Sequence, residues 1–276
     1  MGVVVLALIA ICAGFLGALL GLGGGVILVP GSLYVSEHTT WIATLTPQSA
    51  VALSVMMMIF TGLGSSMSYM KSGLVDYKAG LTFFVGAAPG VVVGALLNGY
   101  FDKDSFHLFF GVLLITLATI MIVRDKLTPI HWFVRRSKVR HFTDANGKQF
   151  TYGYPISFAI VLSFFVGMLS GLFGIGGGAL LVPAMLILFH FPPHIAVATS
   201  MFLVFLSSLI NAGSHMTLGN IPWANVLPVV IGGYIGGKLG AAMTKKLQSQ
   251  TLVIILRIVL LIMGVRSVII GIMGSV

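Results

Sequence analysis

Long apolar runs, separated by short polar stretches, dominate the pattern along this chain. A bilayer core takes about 20 apolar residues in a helix rising 1.5 Å per residue. Eight segments reach that length: 3–35, 47–70, 77–99, 105–124, 155–190, 194–216, 223–244 and 251–274. The first and fifth overrun a single crossing, and each contains three consecutive glycines. Each is therefore expected to be a broken helix, or a helix followed by a re-entrant half. The opening run, MGVVVLALIAICAGFLGALLG, has no basic leading region and reads as a first transmembrane helix rather than a signal peptide. The pattern predicts an all-α polytopic membrane protein of about eight transmembrane helices, arranged as two four-span repeats with glycine-broken helices in spans 1 and 5.

The repeat is visible residue by residue. Residues 14–30 read GFLGALLGLGGGVILVP and residues 167–183 read GMLSGLFGIGGGALLVP. Further on, PQSAVALS (47–54) matches PHIAVATS (193–200), SYMKSGLVDY (68–77) parallels SHMTLGNIPW (214–223), and GAAPGVVVGALL (86–97) parallels GGYIGGKLGAAM (232–243). Four blocks in the same order point to duplication, with residues 1–124 as the first transmembrane repeat, 125–154 as a connecting loop and 155–276 as the second repeat. Four spans per half make the halves parallel repeats. Inverted repeats need an odd count, which arises if a glycine-broken segment is a hairpin that does not cross the membrane.

Composition narrows the class. The chain is 58% hydrophobic and 8% charged, against about a quarter charged in soluble domains. Cys12 stands alone, so there is no disulfide framework or thiolate cluster. The net charge of +9 is concentrated in the connecting loop and its edge, at Arg124, Lys126, Arg135, Arg136, Lys138, Arg140 and Lys148. That distribution reports membrane orientation rather than nucleic-acid binding. The positive-inside rule puts the loop in the cytoplasm. Four spans to either side then place the N- and C-termini there too. Lys71 and Lys78 agree with this arrangement; Lys103, Lys245 and Lys246 fall on the opposite face.

The glycine triplets carry the candidate chemistry. Glycine costs about 1 kcal/mol in a helix interior, and three together let the backbone leave helical geometry and expose N–H groups. Successive exposed N–H groups form an anion-binding nest, and a half-helix starting there adds the positive end of its dipole. This reading makes Gly23, Gly24, Gly25, Gly176, Gly177 and Gly178 a paired substrate site. The plainer reading is that they are notches for close helix packing. Pro30 and Pro183 obstruct a half-helix that starts at the glycines. If each proline instead opens its helix, Val26–Val29 is an extended connector.

The charged residues give the sign of the substrate. Glu37, Asp76, Asp102, Asp104, Asp125 and Asp144 all lie in or beside loops, so no span offers a carboxylate to a cation. Lys238 and Arg257 lie inside spans, where each costs about 2.5–3.5 kcal/mol at a helix centre. A buried cation favours an anion, although both side chains could instead snorkel to the interface. Other polar groups in the spans are Gln48, Ser54 and Tyr69 in the first half, and Thr199, Ser200, Asn211 and His215 in the second. Ser200, Ser207, Asn211 and His215 recur at spacings of seven, four and four, which is one helical face. His215 and Tyr69 are the candidates for proton coupling. No nucleophile, catalytic acid or metal cluster suggests an enzyme, and the glycine runs lack the Gly-Lys-Ser/Thr ending of a P-loop.

The duplicated GLGGGVILVP and GIGGGALLVP segments, the two P-x-x-A-V-A-x-S stretches, and Gly73, Val75 and Asp76 at the end of the second span resemble the sulfite exporter TauE/SafE family. The likeness covers nearly the whole chain apart from loop 125–154. It implies a multi-pass inner-membrane protein that exports sulfite, sulfoacetate or related organosulfur anions, or takes up sulfonates. The second half departs from the pattern, with Gly219, Ile221 and Pro222 at the positions of Gly73, Val75 and Asp76. The expectation is a secondary transporter of small sulfur-containing anions that needs no cofactor, metal or nucleic acid. Its partners are the anionic substrate and the lipid bilayer, and a homo-oligomer is allowed. A passive anion channel and an uptake permease are the alternatives.

Overall fold

The structure, a computed structural model, describes residues 2–39, 42–123, 140–143, 147 and 149–273. Most of the basic segment 125–154 lies outside the described residues. Among the described residues, ten helices follow in order: α1 Gly2–Leu20, α2 Gly25–His38, α3 Pro47–Lys71, α4 Tyr77–Asn98, α5 Lys103–Val123, α6 Ile156–Phe173, α7 Gly178–Ile187, α8 Pro193–Thr217, α9 Trp223–Thr244 and α10 Ser249–Met273. Eight of them are long and apolar enough to cross a bilayer, and they coincide with the eight expected segments. The shorter α2 and α7 are the second parts of the two glycine-broken segments. Between α5 and α6 a small antiparallel hairpin pairs β1 (Arg140–Thr143) with β2 (Gln149–Tyr152).

Both glycine-broken segments are hairpins. Gly24 lies against Ala13, and Gly31 against Ile9, so α2 runs back along α1. The helix starts at Gly25 and continues through Pro30, so Val26–Val29 is helical rather than the extended connector described above. Gly178 likewise starts α7 with Pro183 inside it. Each proline removes only a single intrahelical donor, and membrane helices tolerate this where neighbouring helices pack around the kink.

That reversal decides the sense of the halves. Gly232, Gly236 and Gly240 of α9 meet Ala7, Ile11 and Phe15 of α1 in parallel register, and Gly86, Gly90 and Gly94 of α4 meet Ile160, Phe164 and Met168 of α6 in the same way. Met57 and Thr61 of α3 face Gly233 and Gly237 of α9, again in parallel. Hence α1, α3 and α9 start at one end of the bundle, and α4 and α6 start at the other. The first helix of each half packs on the third long helix of the other half, and the two pairs run in opposite senses. The repeats are inverted, not parallel, because α2 and α7 each add a pass.

The start of α1 and the end of α10 consequently lie at the opposite end of the bundle from the end of α5 and the start of α6. Leu108, near the start of α5, meets Gly271, near the end of α10. The hairpin end is tied to the α3–α4 connection, where the Tyr152 hydroxyl donates to Asp76 Oδ2 at 2.9 Å. The expectation that the termini share the basic loop's face is therefore corrected. Lys245 and Lys246 follow α9 at the loop end, not opposite it, and Lys245 Nζ donates to the Ser68 carbonyl there at 3.0 Å.

Candidate functional site

The two glycine breaks cross at the centre of the bundle. Backbone φ is positive at Gly21, Gly23 and Gly24, and again at Gly174 and Gly176, a conformation that side chains rarely adopt. A Cβ on Gly25 would overlap the Gly174 carbonyl oxygen, and one on Gly178 would overlap the Gly21 carbonyl oxygen. The segments thus touch backbone to backbone in a reciprocal arrangement, and the notch reading of these glycines holds at Gly25 and Gly178. Met58 of α3 lies over both breaks, 2.9 Å from a Cβ placed on Gly23 and 2.6 Å from one on Gly176.

Two serines fix the crossing. Ser54 Oγ donates to the Gly174 carbonyl at 2.8 Å, and Ser200 Oγ donates to the Gly21 carbonyl at 2.7 Å. Each closes a P-x-x-A-V-A-x-S stretch, so each half clamps the break of the other. The helices that leave the breaks, α2 and α7, have glycine N-caps and no side-chain capping bond. Their N-terminal turns approach the centre from opposite sides with their dipoles' positive ends inward.

The polar stripe of α8 faces inward as its spacing required: Ser200, Ser207, Asn211 and His215 are all buried. Its counterpart on α3, Ser54, Thr61, Ser65 and Tyr69, is buried as well. The α3 stripe is satisfied. Thr61 donates to the Gly233 carbonyl at 3.1 Å, Ser65 to Thr61 at 2.7 Å, and Tyr69 to the Ala18 carbonyl at 2.8 Å and Thr244 at 2.9 Å. The α8 stripe is not. Asn211 Oδ1 is buried with no hydrogen-bond partner, as is Oδ1 of Asn98, the α4 residue equivalent to Thr244, while the His215 ring interacts with the Gly171 carbonyl. His215 Nδ1 is 3.2 Å from Asn220 Nδ2. Most buried polar atoms in folded proteins are paired, so the unpaired Asn211 amide oxygen marks a place where a missing partner would sit.

Other expected site residues fall elsewhere. Gln48 Nε2 donates to the Asn98 and Phe101 carbonyls, both at 2.9 Å, and ties α3 to the end of α4. Thr199 Oγ1 accepts from the Asp76 N–H at 3.0 Å, while Asp76 also caps α4 through Ala79 N. Lys238 does not reach the breaks. It is exposed on the outer side of α9 with Nζ 4.8 Å from the Tyr234 ring centroid, a snorkelling position near the loop end. Its expected role at the site is corrected accordingly. Arg257 is half-buried on α10, which packs chiefly against α5 rather than on either break. Sequence reasoning missed Thr61, which the repeat register would have found, and Arg266, which sits 5.1 Å over the Tyr34 ring.

Eight bilayer-length helices around a buried crossing of two glycine breaks define a multi-pass membrane protein of two inverted halves. A sequence model of the family described as Sulfite exporter TauE/SafE matches residues 6–267, and the chain belongs to that family of membrane transporters. It is 44% identical over 272 residues to Probable membrane transporter protein YunE of Bacillus subtilis (strain 168), covering 99% of each chain. It is 25% identical over 274 residues to Probable membrane transporter protein MJ0441 of Methanocaldococcus jannaschii, covering 94% of this chain and 92% of that one. A shorter match, 36% identical over 91 residues, joins 32% of this chain to 20% of Sulfite exporter TauE/SafE family protein 5 of Arabidopsis thaliana. No solved structure matches the chain.

Proposed function

We propose that the protein is a secondary transporter that exports small sulfur-containing anions, sulfite or organosulfonates such as sulfoacetate, across the inner membrane. The observation that carries this reading is the convergence of two uncapped helix N-termini on one buried crossing, with the unpaired amide oxygen of Asn211 farther along the α8 face that Ser200 starts. Two positive dipole ends aimed at one point repel each other unless negative charge lies between them. Here the Gly21 and Gly174 carbonyls occupy that place, which supports an occluded state without substrate. When the halves part, an oxyanion replaces the two carbonyls, and Asn211 turns its amide N–H toward it. The family description and the name of the Arabidopsis relative, both of which refer to sulfite export, support the substrate class.

Sidedness follows from charge. Lys71, Lys78, Lys245 and Lys246 flank the loop end and Lys103 the other, so the positive-inside rule puts the loop end in the cytoplasm and the chain ends outside. Two seals then separate the crossing from the two compartments. Tyr69 and Thr244, with the Ala18 and Leu19 carbonyls, close the cytoplasmic side. His215 and Asn98, with the Leu172 carbonyl, close the outer side. The equivalent of His215 is a fully bonded tyrosine, so His215 is the better placed of the two to carry a coupling proton.

The test is thermal stability of the purified protein against sulfite, sulfoacetate, sulfate, chloride and divalent cations. A ligand at 100 times its Kd adds about 2.7 kcal/mol, and saturable stabilisation by sulfite or sulfoacetate is expected. Asn211→Leu should melt higher than wild type without ligand, because it removes a buried unpaired group, and should lose the anion response. An unaltered response in Asn211→Leu, or a response to cations alone, sinks the reading.

A further inference from the structure

Away from the crossing, at the outer end of the bundle, α2, α5 and α10 enclose a lateral groove of about 620 Å³. One side of it is a single face of α10, where Leu261, Ile262, Val265 and Arg266 follow at helical spacing. Facing them are Tyr34 and Glu37 of α2 and His107 of α5. Ile262 is 58% exposed and Val265 43%, so the groove opens outward among side chains that face the bilayer.

Its polar end has an unbalanced charge. Glu37 is neutralised by Lys103, with Oε1 and Nζ 3.0 Å apart. Arg266 enters no ion pair among the described residues and only stacks on Tyr34. An unpaired guanidinium at this depth carries the insertion cost of a membrane arginine. His107 is a second, independent sign. It is 2% exposed, lines the groove, and its Nδ1 has no hydrogen-bond partner. The polar groups come from the last turn of α2, the first turns of α5 and Arg266 of α10; Leu261 and Ile262 lie farther into the membrane, and Ile269 and Ile270 flank Arg266 on its outer side.

We propose that this groove binds an anionic phospholipid of the outer leaflet, its phosphate paired with Arg266 and within reach of His107, and one acyl chain laid along α10. An amphiphile with its phosphate at Arg266 and a chain over Leu261 and Ile262 matches these groups, and a basic pocket between transmembrane helices suits a lipid phosphate. The volume is that of a site for one small-molecule-sized group, sufficient for the head and part of a chain. A second copy of this chain is the poorer occupant. An isologous contact on this face brings Arg266 against its own copy, and the carboxylate of this face, Glu37, is already paired with Lys103.

Native mass spectrometry of the full chain, delipidated in detergent and titrated with phosphatidylglycerol or phosphatidylcholine of the same acyl length, tests the proposal. The wild type should retain phosphatidylglycerol at least tenfold better than phosphatidylcholine. Arg266→Gln should bring the two lipids level, Arg266→Lys should keep most of the preference, and Lys246→Gln, at the opposite end, should keep all of it. The proposal fails if the wild type shows no preference, if Arg266→Gln keeps it, or if Arg266→Lys loses it as fully as Arg266→Gln. It also fails if inorganic phosphate displaces the lipid at equal concentration, or if Val265→Cys in a Cys12→Ser background forms disulfide-linked dimers in lipid. None of these readouts depends on transport, so failure here leaves the transporter reading intact.

Discussion

Gly177 and Gly178 are neighbours with opposite tolerance for a side chain. A Cβ on Gly177 meets only Val166, at 3.4 Å, whereas one on Gly178 would overlap the Gly21 carbonyl oxygen and come 2.7 Å from Ser200 Oγ. Gly177→Ala is expected to melt within about 0.5 kcal/mol of wild type. Gly178→Ala should lose about 1–3 kcal/mol or more, as overpacked sites do. Parallel melting curves of the two variants check this, and equal stability would mean the breaks are not in backbone contact. A bulky change at Gly24 is a poor probe of anion binding, because its φ of 99° and the Ala13 carbonyl already exclude a side chain. Much at this scale could be read from sequence. The triplets, the clamping serines and the α8 stripe all stood out. That Ser54 and Ser200 hold carbonyls of the opposite half could not, since the partners are far apart in the chain.

At the scale of elements, two glycine ladders hold the halves together. Gly86, Gly90 and Gly94 seat α4 on α6, and Gly232, Gly236 and Gly240 seat α9 on α1, with no room for a Cβ at the carbonyl contacts. Lipid tails are as apolar as leucine, so close backbone approach and dispersion, not burial from water, stabilise these pairs. Gly90→Val and Gly236→Val should each lower the yield of monodisperse protein and cost about 1–3 kcal/mol. Gly99→Val, at the exposed end of α4 where the nearest contact is 3.6 Å, should do neither. Size-exclusion profiles and melting temperatures report both effects. The ladder spacing was legible as a repeat block; its partners were not, because each ladder serves the first helix of the other half.

For the whole molecule, the inverted arrangement is open to direct test. In a Cys12→Ser background, Tyr100→Cys, at the α4–α5 turn and 86% exposed, should react with a membrane-impermeant thiol reagent applied to intact cells. Lys246→Cys should react only after permeabilisation. Labelling of both from the same side would restore the parallel arrangement and remove the inverted one. The same topology removes a discrepancy in the charges: with an odd number of passes per half, Lys245 and Lys246 join Lys71 and Lys78 at the loop end, leaving Lys103 and Arg266 toward the other.

By itself, the sequence determined the solvent, the eight long helices, the duplication and the places where two helices break. Hydropathy over about 20 residues and the conformational freedom of glycine are local properties. The tertiary structure alone decided the direction in which the chain leaves each break. That direction depends on Gly25 packing against Gly174 and Gly178 against Gly21, contacts between distant parts of the chain. Both reversals turned the halves over, moved the termini away from the loop and withdrew Lys238 from the centre. They also brought Arg266 and His107 together at a groove that no run of neighbouring residues announces.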